Sequence, residues 1–478
     1  MIGSLKAFYL KPATIITYML QSTEYEVGPY LKWYWRTQNF AAVMKRRTLN
    51  STRRAALLRT VLRMGMLLQV IGGLVMIFFG SRSEYVELIW FGIALVISYP
   101  VVWAHIVVVP LLLAKWLIVI PKNNKAVRAS EKLYEQHTAV KLAVVGSYGK
   151  TTMKELLATV IAEGKKVAAT PANKNVAISH ANFVEGLDGD EDVLILEYGE
   201  GAPGDVEQFS RTTHPTYAVI TGLAPAHLDK YRTLDAAAKD IFSVADYVAE
   251  GHVYVNSESL ASKPFVKPGF HTYDQGGVGE WRTTNIRVDI TGTSFVLQRA
   301  GTKLKLTSGL LGRHQIGPLS VAAVLAIEFG LTPLQVEKGI AKTVPFEHRM
   351  KPRQLSGATI IDDTYNGNLE GIRAGTALLK ELPARRKWYV TPGLVDQGKD
   401  TAAIHREVGT LIAAAKPDIV VLMKNTVTAH IEEGLRGSGF DGEIRIEHDP
   451  LEFYTNLEHF ISSGDVVLMQ NDWTDNYA

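Results

Sequence analysis

Two long apolar runs near the beginning of the chain constrain its fold more than any other feature of the sequence. The first covers residues 64–80, where Gln69 is the only strongly polar side chain, and the second covers residues 88–113, where His105 is the only ionisable group. Runs of 17 and 26 residues are long enough to cross the hydrocarbon core as helices, although the first is at the short limit. A pair of buried core helices would give a similar pattern. We predict a transmembrane hairpin.

The distribution of positive charge predicts the orientation of this hairpin. The loop between the runs, residues 81–87, contains one basic residue, Arg82. The two outer flanks are strongly basic and contain Lys45, Arg46, Arg47, Arg53, Arg54, Arg59 and Arg63 on one side and Lys115, Lys122, Lys125, Arg128 and Lys132 on the other. Because Lys and Arg accumulate on the cytoplasmic side of membrane spans, both flanks are predicted to be cytoplasmic. The sequence therefore predicts a multi-pass protein of the cell membrane whose soluble part lies in the cytoplasm.

Residues 1–50 mix aromatic side chains with Lys and Arg. This composition is typical of a helix that lies in the membrane interface, but a small soluble cap would have the same composition. We expect no secretory signal, because Lys6 and Lys11 interrupt the first apolar stretch and no cleavage site is evident.

The composition of the whole chain excludes several classes of chemistry. The chain has no cysteine, which excludes disulfides, zinc–thiolate sites, iron–sulfur clusters and cysteine nucleophiles. Any metal ion would have to be bound by oxygen ligands and histidine. The 51 basic and 48 acidic residues nearly cancel, so the chain is not a basic nucleic-acid coat and we expect no nucleic-acid partner.

Beyond residue 138 short apolar strands alternate with amphipathic helices, which predicts a doubly wound α/β fold. The predicted elements of the first set are strands at 141–145, 192–196 and 216–220 and a helix at 151–163. Residues 253–312 contain short alternating runs separated by glycine, which predicts a small β-subdomain. A second α/β set begins near Arg349, with strands near 359–361, 388–390, 418–422 and 465–469.

These patterns divide the chain into three parts. The boundaries predict a membrane region at 1–137, a central α/β domain at 138–345 and a C-terminal Rossmann-like α/β domain at 346–478.

A glycine-rich turn between the first strand and its helix is the strongest local signal. It consists of Gly146, Ser147, Tyr148, Gly149, Lys150, Thr151 and Thr152. Glycines let the backbone wrap a phosphate, the helix N-terminus directs free N–H groups at it, Lys150 supplies a charge and Thr151 can reach Mg²⁺. The match to G-x-x-x-x-G-K-[ST] is imperfect, because Val144 occupies the position of the first glycine. The alternative is a glycine turn with a solvated lysine.

Two further residues follow predicted strands. Glu197 directly follows the strand at 192–196. A carboxylate at that edge beside a phosphate loop suits Mg²⁺, although an exposed strand-end glutamate is commoner. His227 follows the strand at 216–220 and is either a second metal ligand or a hydrogen-bonded core histidine.

Together these segments resemble the Mur ligases, the ATP-dependent amide-bond ligases of peptidoglycan precursor synthesis. The family's L-E-M-G is similar to 196–199, its A-H-L-E to 226–229 and its G-R-H-N to 312–315. Its I-D-D-S-Y-N-A-N resembles 361–368, and its H-x-E-V-G resembles 405–409. With the phosphate loop, six motifs occur in the family's order over about 330 residues.

The resemblance implies a role for each matching residue. The loop at 146–152 would hold the β- and γ-phosphates of ATP, with one Mg²⁺ on Thr151 and Glu197 and a second on Glu197 and His227. Residues outside this loop are implied to face the adenine (Gln315), to reach the γ-phosphate from the C-terminal domain (Arg349), to contact the nucleotide (Asp363) and to support that contact (Asn366). Lys239 is the candidate for the carbamylated lysine that family members often carry near the second metal. It lies two or three residues closer to His227 than the family's spacing.

The chain also departs from the family's pattern. The family's N-terminal uridine-nucleotide domain is replaced by the membrane hairpin, and its adenine-side Asn by Gln315. Its G-D-M-x-E-L-G becomes 393–398 and its C-terminal K-G-S becomes 470–472, where the incoming amine is expected. ATP chemistry is therefore better supported by the sequence than substrate identity.

The implied function is a membrane-anchored ligase that acts through an acyl phosphate, with its catalytic part a monomer. Its partners would be a muramoyl-peptide-like carboxylate and an amino acid or dipeptide amine, of which D-alanyl-D-alanine is nearest. Two alternatives remain open: a ligation of another kind, such as poly-glutamate-type addition, and a membrane scaffold that binds ATP without ligating.

Overall fold

The computed structural model describes residues 8–37, 39–40, 43, 49–171, 175–224, 228–365, 367–395 and 397–471. It divides into two compact units, and the boundary lies after Asn123. The helices of the first unit are α1 (Pro12–Ser22), α2 (Val27–Arg36), α3 (Arg53–Gly80), α4 (Val86–Ile106) and α5 (Val108–Ala114), followed by a π-helical turn (Lys115–Val119) and α6 (Ile120–Gln136), which continues into the second unit.

The first unit is built on the hairpin of α3 and α4, which contains the two predicted apolar runs. Two helical segments, Arg53–Gly80 and Val86–Gln136, are long and apolar enough to cross a membrane. The second continues past the predicted end at residue 113, because helical geometry persists through the π-helical turn. Large apolar side chains such as Leu68 and Trp90 point outward and are 65% and 68% exposed. The hairpin is therefore stabilised by contact between its own helices and leaves an apolar surface.

Small and polar residues hold the two hairpin helices together. A Cβ atom added at Gly73 would lie 2.7 Å from the carbonyl oxygen of Gly92, so the backbones are in contact there. Gln69, the polar residue of the first run, donates a hydrogen bond of 3.0 Å to the carbonyl of Leu95. Its amide is thereby satisfied by the partner helix.

The aromatic residues before the hairpin form a packed cap on its basic end. The side chains of α1 and α2 share a core cluster with Leu62, Met66, Ala104 and Val107 of the hairpin. The hydroxyl of Tyr30, which is fully buried, donates a hydrogen bond of 2.8 Å to the carbonyl of Ala104. Of the two arrangements predicted for residues 1–50, the described part resembles the packed cap.

A ten-stranded sheet dominates the second unit. Its strands are β1 (Val140–Val145), β2 (Val167–Ala169), β3 (Val193–Glu197), β4 (Tyr217–Ile220), β5 (Val253–Asn256), β6 (His271–Asp274), β7 (Gly277–Val278), β8 (Trp281–Asp289), β9 (Gly292–Arg299) and β10 (Thr302–Ser308). The strand order is β10-β9-β8-β7-β6-β5-β4-β1-β3-β2. Strands β1 to β6 pair in parallel, and antiparallel pairing begins at β6–β7.

The helices of this half cover both faces of its parallel part. They are α7 (Lys150–Ile161), α8 (Ala177–Glu185), α9 (Asp205–Thr213), α10 (Leu228–Tyr231), α11 (Leu234–Phe242), α12 (Ile316–Glu328) and α13 (Pro333–Ala341). Separate clusters of buried side chains fill the two faces, as a doubly wound fold requires.

A six-stranded sheet forms the remainder of the second unit. Its strands are β11 (Lys351–Leu355), β12 (Ala358–Asp363), β13 (Lys387–Thr391), β14 (Ile419–Met423), β15 (Glu443–Glu447) and β16 (Val466–Gln470). Its helices are α14 (Leu369–Glu381), α15 (Thr401–Ala415), α16 (Thr428–Gly437), α17 (Pro450–Thr455) and α18 (Leu457–Phe460). The order is β11-β12-β16-β13-β14-β15, and only β11 is antiparallel.

The predicted α/β class is confirmed, with two differences in detail. The strands expected at 253–312 do not close into a sheet of their own, because β5 and β6 continue the parallel sheet and β7–β10 extend its edge. The two edge strands β11 and β15 are not among the strands predicted from the sequence. Both are partly exposed and carry charged residues at every second position or nearly so, namely Lys351 and Arg353 in β11 and Glu443, Arg445 and Glu447 in β15, so they lack the apolar run that marks the central strands.

Valine substitutions at neighbouring glycines test the close packing of the hairpin. Gly73→Val places a branched side chain against Gly92 and should cost about 1–3 kcal/mol of stability, measured as a lower melting temperature in detergent. Gly72→Val is the matched control, because an added Cβ there meets no atom within 4 Å. Equal melting temperatures for the two variants would contradict the helix contact.

Candidate functional site

The glycine-rich turn lies at the carboxyl edge of the larger sheet. It links β1 to α7, and Gly146 and Gly149 adopt φ values of 142° and 74° that suit glycine. The N–H of Ser147 donates a hydrogen bond of 2.8 Å to the carbonyl of Gly222, in the segment that follows β4. The Thr221 hydroxyl donates one of 2.5 Å to the carbonyl of Tyr148. The turn is thus held open over the N-terminus of α7, as a phosphate loop would be.

Lys150 begins α7 and is held in a buried ion pair. Its ammonium group donates hydrogen bonds of 2.5 Å to the carbonyl of Gly146 and to the carboxylate of Glu200. The side chains of Lys150 and Glu200 are 10% and 6% exposed. A solvated lysine, the alternative raised by the sequence, is not what the structure has. Glu200 is not among the residues predicted from the sequence, because its only local signal is a second carboxylate three residues after Glu197.

Glu197 ends β3 next to the same loop. Strand pairing sets it opposite Val144 of β1, and its Oε1 accepts a hydrogen bond of 3.0 Å from the Thr151 hydroxyl. Its Oε2 is buried without a hydrogen-bond partner among the described residues, although the Lys154 ammonium lies 3.3 Å away. A buried carboxylate oxygen with spare acceptor capacity beside a hydroxyl is a donor set that suits Mg²⁺.

A buried histidine holds the end of β3 in place, and sequence reasoning did not find it. His180 of α8 makes a hydrogen bond of 2.9 Å between Nε2 and the carbonyl of Glu197. Burial lowers the pKa of His180 to about 4, so the ring is neutral near pH 7 and donates from Nε2. His180 therefore positions Glu197 through its backbone.

Three predicted site residues are not placed at the site by the described part of the structure. His227 and Asn366 lie outside the described residues. Lys239 lies in α11 with its side chain 72% exposed, and its ammonium pairs with Asp235 at 2.8 Å. That exposed pair is unlike the buried surroundings expected of a lysine that bridges metal ions.

A cleft of about 490 Å³ separates the phosphate loop from the smaller sheet. Both halves of the second unit contribute to its walls. Six of its lining residues are among the predicted site residues, namely Tyr148, Gly149, Thr152, Gln315, Arg349 and Asp363. The structure therefore gathers on one cavity residues that are about 200 positions apart in the sequence.

Arg349 and Asp363 form the part of the cleft wall that belongs to the smaller sheet. The Arg349 guanidinium lies over the Tyr365 ring, 4.7 Å from its centroid. Burial raises the pKa of Asp363 to about 7, although a 2.7 Å hydrogen bond from Gln470 and the charge of Arg349 act in the opposite direction. This carboxyl group is therefore close to its titration point at neutral pH.

Gln315 lies on the opposite wall, in a short 3₁₀ turn that precedes α12. Its amide donates a hydrogen bond of 2.8 Å to Nε2 of His314. Burial lowers the pKa of His314 to about 4, which keeps that nitrogen an acceptor. The amide oxygen of Gln315 therefore remains available to a ligand. The neighbouring Arg313 forms an ion pair with Glu381 of α14, to which both Nε and Nη2 donate hydrogen bonds. This ion pair links the two walls of the cleft.

Gln470 and Leu394 lie in the two segments that depart from the family's C-terminal motifs, and both are hydrogen-bonded. Gln470 donates to the carboxylate of Asp363 and to the carbonyl of Gly371, and it accepts a hydrogen bond of 2.8 Å from the Tyr389 hydroxyl. His405 accepts from the N–H of Leu394 at 3.0 Å and contacts the carbonyl of Thr401 at 2.6 Å. Burial lowers the pKa of His405, so a neutral ring holds the loop that begins at Gly393.

Comparisons with known proteins match this part of the chain. The Mur ligase middle domain matches residues 144–326, and the family described as Mur ligase, glutamate ligase domain matches residues 348–470. Among curated relatives, the UDP-N-acetylmuramoyl-tripeptide–D-alanyl-D-alanine ligase of Escherichia coli (strain K12) is 28% identical over 297 residues, which cover 60% of this chain and 65% of that protein. The ligase of the same name from Bacillus subtilis (strain 168) is 24% identical, covering 74% of this chain and 78% of that protein. The chain thus spans just under two thirds of the length of the E. coli relative.

Solved structures show the same fold. MurF from Acinetobacter baumannii superposes with a TM-score of 0.63 at 19% identity, covering 73% of this chain and 77% of that one. The MurF ligase from Thermotoga maritima in complex with ADP gives 0.62 at 20% identity, covering 73% and 80%.

The raised pKa of Asp363 predicts a pH-dependent stability. Between about pH 4 and pH 7 the folded protein keeps a proton on this carboxyl that the unfolded chain has lost, so stability falls as pH rises through that window. The slope for one such group is at most about 1.4 kcal/mol per pH unit. Melting temperatures measured from pH 5 to pH 7.5 should therefore fall more steeply for the wild type than for Asp363→Asn. The same slope in both proteins would assign the pH dependence to other groups.

Proposed function

Because the chain belongs to the Mur ligase family through its middle and C-terminal domains, we propose that it is an ATP-dependent carbon–nitrogen ligase of peptidoglycan precursor synthesis. It joins the carboxylate of a muramoyl peptide to D-alanyl-D-alanine or a similar amine, in line with the printed names of its relatives. The observation that carries the proposal is the buried ammonium of Lys150, at the start of α7, in a glycine-rich turn whose Tyr148 and Gly149 line a cleft shared by both domains.

The proposed chemistry explains why a site of this kind needs cations and no protein nucleophile. A carboxylate is a poor electrophile, so its oxygen first takes the γ-phosphoryl group of ATP and ADP leaves. The amine then attacks the acyl phosphate, the C–N bond forms and inorganic phosphate leaves with the bonding electron pair of the C–O bond. Both reactants of the first step are anionic, so catalysis depends on charge neutralisation and alignment.

Lys150 is the first group proposed to neutralise this charge. In the structure its ammonium is paired with Glu200. A bound triphosphate would offer it a more strongly charged partner at the same helix N-terminus. We infer that Lys150 exchanges the Glu200 carboxylate for the β- and γ-phosphates when ATP binds. The ion pair then holds the ammonium group of a buried lysine in position before the nucleotide arrives.

Arg349 is the second such group, and it approaches from the other wall. Its stacking on Tyr365 holds the guanidinium at the cleft, where it can contact the γ-phosphate. Asp363, beside it, would accept hydrogen bonds from the nucleotide when ionised, and Gln315 would meet the adenine ring.

Mg²⁺ would be held by Thr151 and Glu197, whose oxygens are 3.0 Å apart, with His227 as a further predicted ligand. When bound, the ion would supply positive charge to the transferring phosphoryl group. The spare acceptor capacity of Glu197 Oε2 supports this assignment.

The surroundings of Gln470 bear on the identity of the amine. Gln470 stands where the family carries a lysine, and its amide is fully engaged with Asp363, Gly371 and Tyr389. A neutral, already bonded side chain offers no charge to the carboxylate of an incoming dipeptide. This observation favours, as a second candidate, the same acyl-phosphate chemistry with a different amine.

We further propose that the hairpin of α3 and α4 spans the cell membrane and anchors a cytoplasmic ligase. Two helices of sufficient length, their exposed apolar side chains and the basic flanks support this. A membrane anchor suits an acceptor that is lipid-linked or presented at the membrane.

Phosphate release by the purified full chain tests the ligase activity. Release should require ATP, Mg²⁺, a muramoyl tripeptide acceptor and an amine together, and a panel of amines should identify the one that stimulates it. Lys150→Ala should lower turnover about 10²-fold or more, because a cation at a transferring phosphate contributes several kcal/mol. Lys239→Ala removes an exposed lysine at the predicted carbamylated position. Its turnover is compared with that of Lys150→Ala in the glycine-rich loop. If the chain binds ATP but releases no phosphate with any combination of acceptor and amine, the result would instead support a membrane scaffold that binds ATP without ligating.

Labelling of single cysteines tests the membrane topology, since the chain has none of its own. Ser83→Cys, in the loop between the helices, should react with a membrane-impermeant maleimide added to spheroplasts. Thr302→Cys, at the exposed start of β10, should react only after lysis. Protection of Ser83→Cys together with labelling of Thr302→Cys would reverse the orientation.

A further inference from the structure

A second buried lysine lies one helical turn beyond Lys150. Lys154 of α7 is fully buried, although lysine is almost never fully buried unless it is paired. Its ammonium group donates a hydrogen bond of 2.8 Å to the carbonyl of Thr170, the residue that directly follows β2. No step of the proposed ligase chemistry uses this lysine.

The carboxylate of Glu197 lies between Lys154 and the Thr151 hydroxyl. Thr151 and Lys154 are three residues apart in α7, so both project from one face of the helix. Oε1 of Glu197 accepts the 3.0 Å hydrogen bond from Thr151, whereas Oε2 lies 3.3 Å from the ammonium of Lys154. One carboxylate oxygen is thus directed to each residue, which fixes the orientation of the group.

The backbone around this pair is fixed as well. Thr170 joins the two partners, because its carbonyl accepts from Lys154 and its hydroxyl accepts a hydrogen bond of 3.0 Å from the backbone N–H of Glu197. The carbonyl of Glu197 is bonded to His180. Lys154 and Glu197 therefore cannot separate without breaking buried hydrogen bonds.

The charge of Lys154 acts mainly on Glu197. Glu197 is buried, and opposite charges interact more strongly away from water. Glu155 also lies 3.3 Å from the ammonium, but its side chain is 34% exposed, so solvent screens that pair. A carboxylate whose charge is already compensated attracts a hydrated divalent cation weakly. The phosphates of ATP would supply the negative charge that the site lacks.

We propose that Lys154 is a positioning residue that compensates the charge of Glu197, so that the divalent metal ion enters this site with ATP and not before it. The inference rests on the proposed function, which assigns Thr151 and Glu197 to Mg²⁺. Without Lys154 the carboxylate would be buried and uncompensated, and a bound metal ion would relieve that cost. Removing the lysine should therefore strengthen the binding of a divalent ion to the nucleotide-free protein.

Titration of the purified full chain with Mn²⁺ in the absence of nucleotide tests this, with free Mn²⁺ measured by electron paramagnetic resonance. Lys154→Met removes the charge and keeps the unbranched shape, and it should bind Mn²⁺ at least about tenfold more tightly than the wild type. Lys154→Arg keeps the charge and should bind like the wild type. A merely structural role would not give this result, because damage to the fold weakens metal binding.

Lys141→Met is the matched control. Lys141 is also buried and donates a hydrogen bond of 2.8 Å to a backbone carbonyl, that of His137, but it lies at the opposite end of β1 from the phosphate loop. This variant should bind Mn²⁺ like the wild type even if its melting temperature falls. Exposed carboxylates such as Asp188 and Asp190 are the same in all four proteins, so any Mn²⁺ on them is a constant background.

The outcomes separate the role of Lys154 from the proposed function. Unchanged or weaker Mn²⁺ binding by Lys154→Met would overturn the inference, as would an equal gain in Lys141→Met or Lys154→Arg. A wild type that binds Mn²⁺ as tightly without ATP as with it would also overturn it. Equilibrium dialysis of labelled ATP with Mn²⁺ tests the nucleotide site independently. A wild type that retains ATP while Lys154→Met shows no gain refutes only this inference, whereas a wild type that retains no ATP refutes the proposed function as well.

Discussion

The parallel pairing of β1 with β3 and β4 is the constraint on which the candidate site depends. Neighbouring parallel strands end at the same edge of a sheet, so whatever follows each strand is brought together there. The register that pairs Val144 with Glu197 and Val145 with Ile220 sets the phosphate loop between a carboxylate and the segment at Thr221. The strands themselves are buried on both faces and apolar, which leaves the loops free to carry the polar groups.

The buried charges at this edge of the sheet form lysine–glutamate pairs. Lys150 and Lys154 are both buried, and Glu200 and Glu197 lie against them. Breaking such a pair by removing one partner leaves an uncompensated buried charge, which is strongly destabilising. A polyanionic ligand can take the place of a carboxylate partner without leaving the lysine unpaired. In the proposed mechanism, the same pairing orients the lysine in the free protein and is exchanged when the nucleotide binds.

The smaller sheet completes the cleft through a few residues at its own carboxyl edge. Asp363 ends β12 and Gln470 ends the adjacent β16, so the hydrogen bond between them again follows from parallel pairing. Arg313 and Glu381 join the two walls by an ion pair. The first unit, in contrast, is organised around the contact of Gly73 with Gly92 and the aromatic cap, and its outward surface is apolar.

The sequence by itself determined the α/β class, the glycine-rich loop, the positions of the central strands and the two apolar helices. These features are local, because an apolar run, a periodicity or a motif can be read within a short window. Only the tertiary structure decided that Glu200 pairs with Lys150, 50 residues away, and that Gln470 supports Asp363, 107 residues away. It also decided that the strands at 253–312 extend one sheet. Such pairings depend on strand order and packing, which bring distant residues together without leaving a pattern in the sequence between them.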